Sequence, residues 1–77
     1  MSKQAIMIVD DDAKIREVLA LYFVKEGFDV IEAADGVEAI RKVEQKKPNM
    51  ILLDIMMPIL DGIEVCRQIR KFSNVPI

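Results

Sequence analysis

The sequence predicts an α/β domain built on a parallel sheet, and three observations predict it. Two short unbroken apolar runs, Ala5-Ile6-Met7-Ile8-Val9 and Met50-Ile51-Leu52-Leu53, end on carboxylates, at Asp10-Asp11-Asp12 and at Asp54. A surface strand would alternate apolar and polar residues, so continuous runs of this length read as strands buried on both faces. Between them the apolar residues switch to helical spacing, and strand-helix alternation is the pattern of βαβ units with right-handed crossovers. Hydrophobic residues make up 52% of the chain, which suits a sheet covered on both sides better than one with a wet face.

Taken in order, the first run at Ala5 to Val9 is a strand with an acidic carboxyl end. From Ala13 the residues Ile15, Val18, Leu19, Tyr22 and Phe23 recur at helical spacing, while Lys14, Arg16, Glu17 and Lys25 fall mostly on the other face. This is an amphipathic helix expected to pack on the sheet, with Asp12 as its N-cap and Gly27 as its stop. Phe28 to Ala34 holds a weaker strand, in which Glu32 interrupts Val30-Ile31 and Ala33. A charge within a strand points to the sheet edge.

Asp35-Gly36-Val37-Glu38 then opens a second helix as a capping box, with Ala39, Ile40 and Val43 as its apolar stripe. Lys46-Lys47-Pro48-Asn49 ends it, because proline restricts the preceding residue and cannot continue a helix. After the strand at Met50 to Asp54, Asp61-Gly62-Ile63-Glu64 repeats the capping box, and Val65, Cys66 and Ile69 are the positions expected to be buried. Cys66 reads as a small core residue. Ser73-Asn74-Val75-Pro76-Ile77 reads as a turn and the first residues of a fourth strand.

Length and composition set the limits. The 77 residues make at most one domain with no room for a linker, and a fold of this size buries only ~60% of the surface its unfolded chain exposes. The net charge is −2, with no basic stripe and no aromatic platform, so the segment offers no nucleic-acid footprint. One cysteine and no histidine exclude an intrachain disulfide and the common thiolate and imidazole metal sites. Only five apolar residues separate Met1-Ser2-Lys3-Gln4 from the first acids, which is the shape of neither a signal peptide nor a membrane span, and the cytoplasm is the expected location.

In a parallel sheet all strands point the same way, so Asp10, Asp11 and Asp54 emerge on one edge, where open α/β sheets place their ligands. An isolated Asp there is usually a cap or turn residue; the second acidic cluster changes the weighing. If the first and third strands are neighbours, the carboxylates converge. Two like charges ~4 Å apart repel by ~4 kcal/mol at an effective dielectric of ~20. Either a carboxylate is then protonated or a cation sits among them, and oxygen-only ligands favour Mg²⁺ or Mn²⁺ over zinc. A divalent ion at a strand end beside a helix N-terminus is also a place to receive a phosphoryl group.

With Val9-Asp10-Asp11, Asp54 closing an apolar strand, and Met57-Pro58 followed by Asp61-Gly62, the whole chain resembles the receiver domain of two-component response regulators. The resemblance implies a flavodoxin-like fold with strand order 2-1-3-4-5, of which residues 1–77 are the N-terminal part: three βα units and the start of the fourth strand. It implies a phosphoacceptor at Asp54, supplied by a sensor histidine kinase or by small phosphodonors. It implies Mg²⁺ held by Asp11, Asp54 and the backbone carbonyl of Met56, with Asp10 orienting a metal-bound water.

Pro58 and Gly62 match the shape of the loop and helix entry. Receivers complete the site with a Ser or Thr after the fourth strand and a Lys after the fifth, positions beyond Ile77, so the resemblance carries over to the metal site and nucleophile but not to the switch. A sheet ending at its third strand leaves apolar faces uncovered. The expectation is therefore a fragment or ordered part of a longer receiver, or self-association through the incomplete sheet. An output domain, such as a DNA-binding effector, would lie beyond Ile77. The expected function is a phosphoacceptor signalling domain and not an enzyme. The alternatives are an Asp-nucleophile phosphatase of the haloacid dehalogenase type, using Asp10 and Asp12, and a protein-binding domain indifferent to phosphate. The former wants Thr or Val where Lys14 stands.

Overall fold

The computed structural model describes residues 3–54 and 61–77. Its elements run β1 (Ala5–Val9), α1 (Ala13–Lys25), β2 (Asp29–Ala33), α2 (Gly36–Lys46), β3 (Met50–Leu53) and α3 (Gly62–Arg70). The strands pair in parallel in the order β2-β1-β3, which places Glu32 on an edge strand as its charge suggested. Val9 stands opposite both Ala33 and Leu53, so all three strands end level.

β1 is the middle strand, and its unbroken apolar run follows from that: Ile6, Met7, Ile8 and Val9 are each no more than 1% exposed. The chain steps from β1 out to β2 and back past β1 to β3, so right-handed crossovers send α1 and α2 to opposite faces of the sheet. On the α2 side Met7, Val9, Ala33 and Ile51 join Ala39 and Val43 of α2, Val65 and Ile69 of α3, and Val75 in one apolar cluster. Each fully buried side chain of this size contributes ~1.5–3 kcal/mol, and this half of the molecule carries most of the packing.

The α1 side departs from the sequence reading. No residue of α1 is buried, and Ile15, Val18 and Tyr22, expected against the sheet, are 47%, 66% and 57% exposed. β3 was expected to be buried on both faces; instead Ile51 is 2% exposed while Met50 and Leu52, on the opposite face, are 40% and 41% exposed. The reason is positional. α1 packs on β1 and β2, so among the described residues the outer strand β3 has a helical layer on only one of its faces. The final residues supply one further contact: Ile51 N–H donates to Pro76 O at 2.9 Å and Val75 is buried, yet residues 73–77 do not form the expected strand. Cys66 is only partly buried, not a core residue, because the core positions of α3 are Val65 and Ile69.

The helix ends are specified as the sequence indicated. Asp12 Oδ1 accepts from the N–H groups of Lys14 and Ile15 at 2.9 and 3.2 Å. At the other end of α1, Gly27 takes φ +93°, Phe28 N–H donates to Phe23 O at 3.0 Å and Gly27 N–H to Val24 O at 3.1 Å. This is a Schellman closure, and the rings of Phe23 and Phe28 meet edge to face at 5.6 Å as its apolar contact. Asp35 and Asp61 accept from the N–H groups of Glu38 and Glu64 at 2.8 and 2.9 Å. The capping boxes close differently from expectation, however: Glu38 Oε1 accepts from Ala34 N–H at 3.2 Å, one residue before the cap, and Glu64 turns forward to Arg67 and Gln68. Asn49, just after the proline that ends α2, ties the entry of β3 to β1, its Oδ1 accepting from Ala5 N–H at 2.7 Å.

The hydrogen bond from Gln68, then the one from Arg67, hold the Glu64 carboxyl below its ordinary value. A lowered folded value means stabilisation present above the unfolded-state pKa and lost as pH falls through the lowered one. The stability difference between wild type and Glu64→Gln is therefore expected at neutral pH and should vanish on acidification, as followed by urea unfolding across pH. In the same assay Ile69→Ala should cost roughly 2–5 kcal/mol, whereas Ile63→Ala should stay within about 0.5 kcal/mol. Ile69 is fully buried and Ile63 is 71% exposed. Gly27→Ala should cost about 1 kcal/mol through backbone conformation alone, since an added Cβ would meet nothing within 4 Å.

Candidate functional site

Parallel pairing of β1 with β3 builds the site. Because Val9 faces Leu53, the next residues, Asp10 and Asp54, leave the sheet side by side. The ladders continue one step past the strands: Asp54 N–H donates to Val9 O at 3.0 Å and Asp10 N–H to Ala33 O at 3.2 Å. Neighbouring strands lie ~4.8 Å apart, so carboxylates at level strand ends have little room to separate. One oxygen from each of Asp10, Asp11 and Asp54 lies within 4.8 Å of the other two. Asp10 and Asp54 are partly buried and Asp11 is exposed.

The three consecutive acids divide their tasks. Asp12 caps α1 and is thereby spent. Asp10 Oδ1 accepts from Asp12 N–H at 2.9 Å, an Asx turn that folds the chain from strand to helix. The Asp10 carbonyl accepts from Arg16 Nη1 at 2.8 Å, and Arg16 Nε lies 3.4 Å from Glu32 Oε1 on β2. Lys42 of α2 donates to Glu32 O at 2.6 Å and lies 3.1 Å from Glu38 Oε1. Asp10 and Asp54 also line an open groove with Ile8, Leu19 and Leu52, so one side of the site is apolar.

All three donors are hard oxygens, the set that suits Mg²⁺ or Mn²⁺ over zinc. Opposite ligands of an octahedral Mg²⁺ stand about 4.2 Å apart. The three carboxylate oxygens, all within 4.8 Å of one another, are gathered closely enough to share one such ion. The expected backbone ligand at Met56, with Met57 and Pro58, lies outside the described residues. Arg16 and Glu32 were not anticipated: the sequence placed one on the polar face of a helix and the other as a flaw in a strand. A charge inside β2 was the available signal, but sequence spacing alone does not pair it with a helix 16 positions earlier.

A family model described as the response regulator receiver domain matches residues 6–77. Among curated relatives, the probable transcriptional regulator ycf27 of Porphyridium aerugineum is 48% identical over all 77 residues, which are 32% of its length. The DNA-binding response regulator MtrA of Mycobacterium tuberculosis (strain ATCC 25618 / H37Rv) is 44% identical over 97% of this chain and 33% of its own. The chain thus spans about a third of the length of these relatives.

Among solved structures, the N-terminal domain of a receiver protein from Methanoculleus marisnigri superposes with TM-score 0.89 at 31% identity, over 96% of this chain and 60% of that one. TrrA of Thermotoga maritima, solved in complex with Mg²⁺ and BeF, superposes with TM-score 0.84 at 38% identity, over 88% of this chain and 59% of that one. The parallel β2-β1-β3 sheet, its level acidic strand ends and these likenesses along almost the whole sequence agree: the chain belongs to the response regulator receiver domains, the signalling modules of two-component systems.

Proposed function

We propose that Asp54 is the phosphoacceptor of this receiver, and the observation that carries the proposal is the convergence of Asp10, Asp11 and Asp54 at the ends of adjacent strands. In the transfer, an Asp54 carboxylate oxygen attacks the phosphorus of a phosphohistidine on a sensor kinase. An O–P bond forms, the P–N bond breaks, and the imidazole leaves with the electron pair. Mg²⁺ (or Mn²⁺) would be held by Asp11 and Asp54 directly and by Asp10 through water, with the Met56 carbonyl as the further ligand implied by the family. When bound, the ion neutralises charge on the phosphoryl oxygens.

Asp10 and Asp11 would hold the ion, Asp12 fixes the start of α1, and the open groove of Ile8, Leu19 and Leu52 makes one side of Asp54 apolar. The chain acts as a substrate of the kinase that retains the phosphoryl group for a time, with at most self-catalysed transfer and loss, in the cytoplasm. MtrA is described as DNA-binding, and a DNA-binding output region in the whole protein is the corresponding proposal here. The phosphatase reading is disfavoured by Asp12, whose carboxylate accepts two helix amides and is not poised as a general acid.

Incubation with acetyl phosphate and Mg²⁺, followed by mass spectrometry, should label Asp54. Asp54→Asn should abolish the label, chelation of Mg²⁺ should suppress it, and label found on Asp10 would overturn the assignment. The crowded charges give a second test. Two carboxylates ~4 Å apart repel by ~1 kcal/mol in water and more in a protein, and the exposure of Asp11 favours the lower figure. Asp11→Asn is therefore expected to raise stability by about 1 kcal/mol in EDTA, and to remove the further stabilisation that Mg²⁺ gives the wild type.

A further inference from the structure

We infer that Arg16 is a positioning residue of the acidic site, acting by fixing the Asp10–Asp11 peptide; the inference rests on reading the three carboxylates as a Mg²⁺ site. Asp10 is anchored at each of its polar groups: its N–H on Ala33 O at 3.2 Å, its Oδ1 on Asp12 N–H at 2.9 Å, and its carbonyl on Arg16 Nη1 at 2.8 Å. The third anchor reaches furthest. The Asp10 carbonyl belongs to the rigid planar unit that carries the nitrogen of Asp11, so fixing that oxygen sets the direction in which Asp11 leaves the strand. Asp11 is exposed, and its carboxylate is oriented mainly by its own backbone.

The anchor is itself held. The Arg16 side chain is 18% exposed, and a second nitrogen, Nε, reaches Glu32 Oε1 on the edge strand. Lys42 pins the backbone of Glu32 from α2. A planar guanidinium can serve both partners at once, whereas the single nitrogen of lysine has no such fork. An ordinary surface ion pair, which contributes little, would explain Arg16 with Glu32 but not why Nη1 seeks a neutral carbonyl beside three carboxylates. Bound there, the cation steadies the acidic turn through its backbone.

Mg²⁺ titration by calorimetry, with unfolding in EDTA measured separately, tests this on wild type, Arg16→Ala, Arg16→Lys and Asp11→Asn. Loss of a group that orients metal ligands typically weakens binding about 10- to 100-fold. Arg16→Ala is expected to raise the Mg²⁺ Kd at least about 10-fold at temperatures where it is fully folded, and Arg16→Lys to lie between it and wild type. An unchanged Kd in Arg16→Ala overturns the inference, whatever happens to the unfolding midpoint. Should Arg16→Ala not fold, Arg16→Lys decides: wild-type affinity there would mean that only charge matters, and a positioning role is excluded. A wild type that takes up no Mg²⁺, or an Asp11→Asn variant that binds as tightly, would instead sink the metal-site reading itself.

Discussion

Setting β1 beside β3 with Val9 opposite Leu53 brings together two groups that electrostatics would keep apart, and the site depends on that register. A slip of one residue would carry Asp54 past Asp10 and at the same time turn Ile51 out of the core, because side chains on a strand alternate with period two. The buried face therefore enforces the placement of the acids. Ile51, Met7 and Val9 pack under α2 and α3, and their burial outweighs the repulsion at the strand ends by several-fold on the usual scale of ~1.5–3 kcal/mol per side chain.

Beyond the strands, the backbone holds the turn. The bonds from Asp54 to Val9 and from Asp10 to Ala33 extend both ladders into the loop region, and Asp12 closes the first turn of α1. The acids thus sit on hydrogen-bonded backbone and beside a helix N-terminus, whose partial positive charge favours anions. The opposite face of the sheet is built to a different standard. Met50 and Leu52 look outward from β3, and α1 presents Val18 and Tyr22 to solvent. The molecule has one well-packed layer that sets the strand register and one more thinly covered layer, whose helix α1 brings the Asp12 cap and Arg16 to the acidic strand ends.

The sequence revealed the elements, their caps and the acids, and the reasons are local. Apolar runs, Asp12, Gly27, Asp35 and Asp61 act within a few residues of themselves, so one-dimensional spacing carries their meaning. It was misleading where the answer depended on neighbours. The run at Met50 to Leu53 is apolar enough for burial on both faces, but pattern reports what a strand tolerates, and only topology reports what covers it. Cys66 failed for a similar reason, since three apolar positions on α3 compete for a face that Val65 and Ile69 fill. The triad Arg16, Glu32 and Asp10 was illegible because Arg16 meets its two partners through the fold, reaching from a helix to the end of the middle strand and to the edge strand.

That last triad bears on how a small chain can carry a repulsive site. Moving a cation onto the carboxylates directly would relieve the charge, but would also occupy the oxygens the site must offer. Placing Arg16 on the neutral carbonyl, and pairing it with Glu32, separates the two tasks. The turn gains a rigid anchor while the local charge stays negative. Any ion that binds the folded form then stabilises it by an amount that grows with the logarithm of its concentration over Kd, and gathered carboxylates favour a cation of high charge.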